Sequence, residues 1–227
     1  MTVQVHAIGI GAFQRYLIHD EGWILVDTGI PRTAGRVMRT LEQLGVEPAA
    51  VKLILLTHGH VDHAGSARAL QELTGARIAI HYRDQELLEQ GRVVAPRMWN
   101  AAGPAMNALL ARITRHMHFA PARADVVIGD DGLSLAEFGI HGRVIPTPGH
   151  TWGSVSLLLN TGEAFTGDLG GAGGWWGGEP RLPPAGDDPQ QLVSSWQKVL
   201  DAGATTIFPG HGPSFPAQAM RHALGLH

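Results

Sequence analysis

The most chemically loaded stretch of this 227-residue chain is Thr57-His58-Gly59-His60-Val61-Asp62-His63, where four side chains able to hold a metal or move a proton fall within six residues. Composition alone would produce His-x-His-x-Asp-His in about one of five hundred such chains. His58 and His60, two apart in an extended segment, can point the same way. Asp62 and His63 fall where the chain turns into a helix. A lone histidine is usually an ordinary surface or core residue, and four donors in one run weaken that reading. Three later segments repeat the setting of a strand, a sharp Gly/Pro turn and a possible ligand: Pro148-Gly149-His150-Thr151, Phe165-Thr166-Gly167-Asp168-Leu169 and Phe208-Pro209-Gly210-His211-Gly212. Together these supply five His and two Asp, oxygen and imidazole nitrogen only, which is enough for two borderline divalent ions.

Positioning such donors calls for strands that end at one edge of a layered fold. Residues 3–5, 15–19 and 23–26 read as paired strands, with Asp20-Glu21-Gly22 as a hairpin turn. Pro31 opens a helix whose apolar positions are Val37, Leu41 and Leu44, and Gly45 stops it. The apolar run 52–57 is a strand buried on both faces. A helix over 64–73 and a strand over 77–81 follow, so strand, helix and strand alternate as in an α/β fold. Strand signals return at 126–128, 141–145, 155–159 and 164–166. The chain closes with a helix over 189–200, a strand over 205–208 and a helix near 216–224. The whole of 1–227 reads as one domain, broken only by a helical insert at 83–123.

Composition removes several chemistries. With no cysteine, disulfides, thiolate-held zinc, iron–sulfur clusters and thiol nucleophiles are excluded. The net charge of −3 argues against a nucleic-acid surface. Apolar runs fall short of the roughly 18 residues that span a bilayer, and no signal peptide is readable, so a cytoplasmic protein is expected. Gly9-Ile10-Gly11 lacks the third glycine of a dinucleotide fingerprint, and there is no Gly-x-Ser-x-Gly elbow.

His58-x-His60-x-Asp62-His63, followed by His150, Asp168 and His211, resembles the ligand series of the metallo-β-lactamase superfamily in order and spacing, and Val26-Asp27-Thr28-Gly29 is similar to its early motif. The resemblance runs from about residue 5 to 215, with 83–123 the poorly matched part. It implies an αββα sandwich, two mixed β-sheets face to face with helices outside. It further implies one metal on His58, His60 and His150, a second on Asp62, His63 and His211, and Asp168 bridging them. Two divalent ions, zinc first and iron or manganese as alternatives, would then hold a bridging hydroxide. Asp62 and Asp168 would be catalytic, and Asp27 would hold a ligand imidazole by its ring N–H; the plain reading of Asp27 is a turn cap. The function expected is a binuclear hydrolase of an acyl C–O or C–S bond in a lactone, ester or thioester. The alternative is a mononuclear iron enzyme like the persulfide dioxygenases, with a phosphodiesterase or β-lactamase ranked lower.

With its departures, the sequence matches no well-characterised branch cleanly. Class B β-lactamases carry Cys where Asp168 stands, and flavodiiron proteins carry Glu in place of His60. Glyoxalase II has a long helical extension, where only 16 residues follow His211 here. Many quorum-signal lactonases have Tyr three residues after the bridging Asp, and this chain has Gly171. Substrate choice is expected in two places. Trp175 and Trp176, in a glycine-rich loop just past Asp168, either wall a substrate or pack beneath their own loop. In the insert, Met106, Leu109, Leu110, Ile113 and Met117 form a stripe at helical spacing. Such stripes are more often packed core; the alternative is a lid over a bulky, partly apolar substrate, with Met106 and Met117 touching it. Arg97, Arg112 and Arg181 are candidate carboxylate contacts. A small-molecule substrate is expected, without nucleic acid or a membrane span.

Overall fold

The computed structural model describes residues 3–9, 12–99, 103–173 and 178–225. Short apolar or alternating runs build a first sheet of six strands in chain order: β1 (Gln4–Ala7), β2 (Tyr16–His19), β3 (Trp23–Val26), β4 (Val51–Leu55), β5 (Arg77–His81) and β6 (Val126–Ile128). The first three form an antiparallel meander, and β3 to β6 run parallel. Parallel neighbours need crossovers. These are α1 (Ala34–Leu44), then α2 (Val61–Ala64) with α3 (Ala67–Thr74), then α4 (Tyr82–Gln90) with α5 (Gly103–Thr114).

The second sheet repeats the plan: β7 (Leu133–Ser134), β8 (Gly142–Pro146), β9 (Val155–Leu159), β10 (Glu163–Gly167), β11 (Thr206–Pro209) and β12 (Phe215–Pro216). Only β10 and β11 are parallel, joined across α6 (Pro189–Asp201); α7 (Ala217–Ala223) follows β12.

Period-two alternation sorts the side chains into three apolar layers. Leu17, Leu25 and Ile54 face outward under Val37 and Leu41 of α1, Leu70 of α3 and Leu88 of α4. Ile18, Ile24, Leu53 and Leu55 face inward against Val144, Val155, Leu157, Leu159 and Phe165 of the other sheet. Ile145, Leu158, Ala164 and Ile207 lie under Leu192, Trp196 and Val199 of α6 and Met220 of α7. The result is an αββα sandwich of two mixed sheets. The seam is pinned where Tyr16 donates its hydroxyl to the Pro209 carbonyl (2.6 Å) and the Val155 N–H donates to the Thr57 carbonyl (2.8 Å).

Several elements differ from the sequence expectation. Pro31 does not open α1, because Arg32 sits at φ 67° and only at Ala34 does the chain enter the helix. The helix expected over 64–73 is two helices, parted at Gly65 and Ser66, whose hydroxyl donates to the Ile30 carbonyl (2.7 Å). The apolar stripe of the insert lies on α5 except for Met117, which falls beyond its end, and it is not packed core. Met106, Leu109, Ile113 and Met117 are 44, 52, 52 and 49% exposed. Helical spacing shows that one face differs from the other; whether anything covers that face is decided elsewhere in the chain.

Candidate metal centre

All seven expected donors lie on the same edge of the sandwich, five in loops that follow strands and two on α2. β4 runs into Thr57 and the His58-Gly59-His60 loop, and α2 then presents Asp62 and His63. From the second sheet, β8 leads through Thr147-Pro148-Gly149 to His150, β10 ends beside Asp168, and β11 runs through Gly210 to His211. The loops approach so closely that side chains are excluded. A Cβ on Gly210 would stand 2.5 Å from His63 Cε1 and 2.7 Å from Asp168 Oδ1. Gly167, at φ 51°, would meet the Thr57 hydroxyl at 2.5 Å.

The donors form two sets. His60 Nδ1 lies 3.2 Å from His58 Nε2 and 3.0 Å from His150 Nε2. Around a tetrahedral ion with ligand bonds near 2.05 Å, neighbouring ligand atoms are about 3.3 Å apart. In the second set, Asp168 Oδ1 is 3.2 Å from both His63 Nε2 and His211 Nε2, and Asp62 Oδ2 is 3.4 Å from His211 Nε2. The other oxygen of Asp168, Oδ2, is 3.4 Å from His150 Nε2, so one carboxylate faces both sets. His63 Nε2 and Asp168 Oδ1 are buried without a well-directed hydrogen bond. Buried polar atoms left so are rare in native proteins, and their convergence fits a divalent cation between them. The groups His58, His60, His150 and Asp62, His63, Asp168, His211 are each compact enough to hold one ion.

The outer ring nitrogens fix the inner ones. His63 Nδ1 donates to Asp27 Oδ2 (2.7 Å), and His150 Nδ1 donates to the Ala185 carbonyl (3.1 Å). His58 Nδ1 donates to the Thr57 hydroxyl (3.2 Å), which in turn donates a hydrogen bond to Asp27 (2.8 Å). With each outer nitrogen protonated, the inner Nε2 keeps its lone pair for a cation. Asp27 itself is held at φ 60°, a region a non-glycine residue visits rarely, and its carboxylate also accepts the Thr57 N–H (2.8 Å).

Proton affinities separate the sets in the metal-free protein. Burial, then the neighbouring imidazoles, keeps His58 well below the ordinary histidine range. Burial, then His150, takes His60 down to about 3. In the second set burial pulls the same way, but the carboxylates outweigh it. Asp168, Asp27 and Asp62 hold His63 well above its ordinary value, and Asp168 lifts His211 to about 9. Against burial, His63 and a hydrogen bond from His211 depress Asp62 to about 2, and His211 and His63 hold Asp168 well below the ordinary carboxylate range.

One buried carboxylate escaped the sequence reading. Asp84, in the first turn of α4 and 3% exposed, accepts the Gly59 N–H and the Thr151 hydroxyl, both at 2.8 Å. It therefore ties the His58–His60 loop to the turn that carries His150. An acidic residue near a helix N-terminus was the visible signal, and it reads as a dipole partner rather than a brace.

The two sets open on a cavity of about 610 Å³ whose walls are Phe13, Pro96, Met98, Leu182, Pro183 and Pro184, with Arg181 among the lining residues. Asp62, His150, Asp168 and His211 form its floor. Met106 and Met117 do not line it; Met98, from the same insert, does. Trp175 and Trp176 lie outside the described residues. Among those residues no helix is long and apolar enough to cross a membrane.

Comparison with known proteins agrees with this geometry. A family profile described as "Metallo-beta-lactamase superfamily" matches residues 16–211. A Xenopus laevis protein named metallo-beta-lactamase domain-containing protein 1 is 30% identical over 206 residues, covering 88% of this chain and 70% of the relative. A Drosophila melanogaster beta-lactamase-like protein 2 homolog is 30% identical over 193 residues; the match covers 83% of this chain and 54% of the relative, about half its length. Among solved structures, BLEG-1 B3 metallo-beta-lactamase superposes with a TM-score of 0.70 at 22% identity, over 97% of both chains, a likeness of fold.

Proposed function

Because this chain belongs to the metallo-beta-lactamase superfamily and is an enzyme of its metallo-hydrolase kind, we propose that it cleaves an acyl C–O or C–S bond, in a lactone, ester or thioester, with two divalent ions. The observation that carries the reading is the pair of donor sets sharing Asp168 at the floor of an apolar cavity. His58, His60 and His150 would hold one ion and Asp62, His63 and His211 the other. Nitrogen and oxygen donors without sulfur admit zinc, iron or manganese, and the 3.2 and 3.0 Å from His60 to His58 and His150 suit tetrahedral zinc. Ions held there supply Lewis acidity and ionise water near neutral pH.

The chain's own residues do the rest. Phe13, Pro96, Met98 and Leu182 exclude water and bind the apolar part of a small-molecule substrate, leaving its carbonyl over the floor. Asp62 is the least buried donor, its side chain 25% exposed. Ionised down to about pH 2, it is a hydrogen-bond acceptor that orients the attacking water. Asp27, through His63 and Thr57, keeps the imidazoles in the ligating tautomer.

Metal analysis of protein purified without added metal, followed by a panel of lactones, esters and thioesters, tests the proposal. Two ions per chain and turnover of one bond class support it. A single iron per chain with oxygen uptake on persulfides would replace it with the oxidative alternative built on His58, His150 and Asp168.

A further inference from the structure

The stretch from 90 to 124 is electrically unlike the rest of the chain. It holds five of the fifteen arginines, Arg92, Arg97, Arg112, Arg115 and Arg123, with His116 and His118 and neither Asp nor Glu, although the whole chain carries −3. All five arginines are exposed. The same stretch carries five of the eleven large hydrophobic side chains exposed among the described residues: Val94 at 38%, Met106 at 44%, Leu109 and Ile113 at 52% and Met117 at 49%. On α5 only Gly103 is buried. An open groove on this helix is lined by Leu109, Arg112 and Arg115 together.

Exposed apolar side chains on a helix, with exposed Arg112 and Arg115 at its C-terminal end, supply the two kinds of contact that hold an element at a lipid–water interface. The charge argues for an anionic surface: Arg92 is paired with Glu86 (3.9 Å), but Arg112 and Arg115 make no ion pair among the described residues, and juxtaposed arginines gain from phosphate headgroups. It argues against a second copy of this chain. A two-fold contact through α5 would set Arg112 and Arg115 against their own images. Single-stranded nucleic acid is also a poor fit, because α5 carries no aromatic ring for base stacking. The helix is fastened to the mouth of the metal-site cavity. Asn107 of α5 accepts the Met98 N–H (2.8 Å) and donates to the Met98 carbonyl (3.1 Å), and Met98 lines that cavity.

We infer that α5 and its flanking arginines form a docking surface for anionic phospholipid, which seats the cavity mouth at the lipid–water boundary. The inference stands on this surface and does not depend on which bond is hydrolysed. Flotation of the full chain with vesicles tests it, comparing phosphatidylcholine alone with a mixture containing about 30% phosphatidylglycerol. At least about tenfold more protein is expected on the anionic vesicles, falling severalfold when salt rises from about 0.05 to 0.5 M. Leu109→Asp with Ile113→Asp should abolish binding, and Arg112→Gln with Arg115→Gln should cut it about tenfold. These side chains are exposed, so an unchanged circular dichroism spectrum is expected for each variant. Equal or no binding to the two vesicle types overturns the inference, as does wild-type binding by the Leu109/Ile113 variant. So does a dimer, seen by light scattering, that this variant splits, or a preference for DNA over anionic vesicles.

Discussion

The two donor sets share one carboxylate and lie at one edge of the sandwich, yet they treat protons in opposite ways. His58, His60 and His150 face one another with no carboxylate of their own, and burial leaves His60 uncharged down to about pH 3. Asp62, His63, Asp168 and His211 mix two acids with two imidazoles, and His211 holds its proton up to about pH 9. The difference teaches that similar spacing does not make equivalent sites. A cation entering the first set meets the free lone pairs of His58 and His60 at neutral pH. One entering the second must first displace protons.

The most drastic way to erase the contrast is Asp168→Ala, since this carboxylate faces both sets. We expect activity to fall by about a thousandfold or more, with bound metal reduced in both sets, read by elemental analysis and initial rates. His150→Ala and His211→Ala should sharpen the contrast, each costing about one ion per chain while the other set keeps its own. If either variant emptied both sets alike, the sets would not be separable.

Proton competition comes next in size. Between pH 9 and 6, affinity at the second set should drop up to about tenfold per pH unit for each proton displaced, whereas His58 and His60 should add no such competition at the first set, measured by competition with a chromophoric chelator. The same group makes a statement about the metal-free protein. His211 is raised from 6.5 to about 9, so its contribution is fully present below pH 6.5 and is lost as pH rises through about 9. Denaturation midpoints of metal-free protein should decline across that window, and a midpoint rising there would contradict the placement of His211 among the acids.

Smaller effects belong to the braces. Asp27→Asn leaves one acceptor where His63, the Thr57 N–H and the Thr57 hydroxyl now share a carboxylate, and about 10–100-fold in metal affinity or activity should go with it. Asp84→Ala strands the buried Gly59 N–H and leaves the Thr151 hydroxyl with Ser154 alone. It should cost about 2–3 kcal/mol of stability by urea unfolding, with metal loss confined mainly to the three-imidazole set.

The candidate donors could be picked out because their chemistry is written locally. A dense His/Asp run after a buried strand, and three Gly/Pro turns after others, need no knowledge of distant contacts. Asp84 was not legible, since its partner Thr151 lies 67 residues away and nothing near Asp84 announces it. Asp27 was visible as a motif residue, but its reach through Thr57 to His58 depends on a backbone held at φ 60°. The alternating strands gave the sandwich its layers, while the apolar stripe of α5 misled, because periodicity carries no information about what lies opposite. Helix starts failed for a local reason of another kind: Arg32 and Ser66 leave the helical region where their neighbours alone would not.

The sheets also divide the chain. Every strand of the first ends by Ile128, and every strand of the second begins after the Gly129–Gly132 turn, with Asp130 and Asp131 exposed between them. His58, His60, Asp62 and His63 belong to the first part, and His150, Asp168 and His211 to the second, so neither part alone owns a complete donor set. A backbone cut at this turn would turn the enzyme into a two-piece switch. Its output would require both fragments and the ion at once, and catalytic signal would report their meeting.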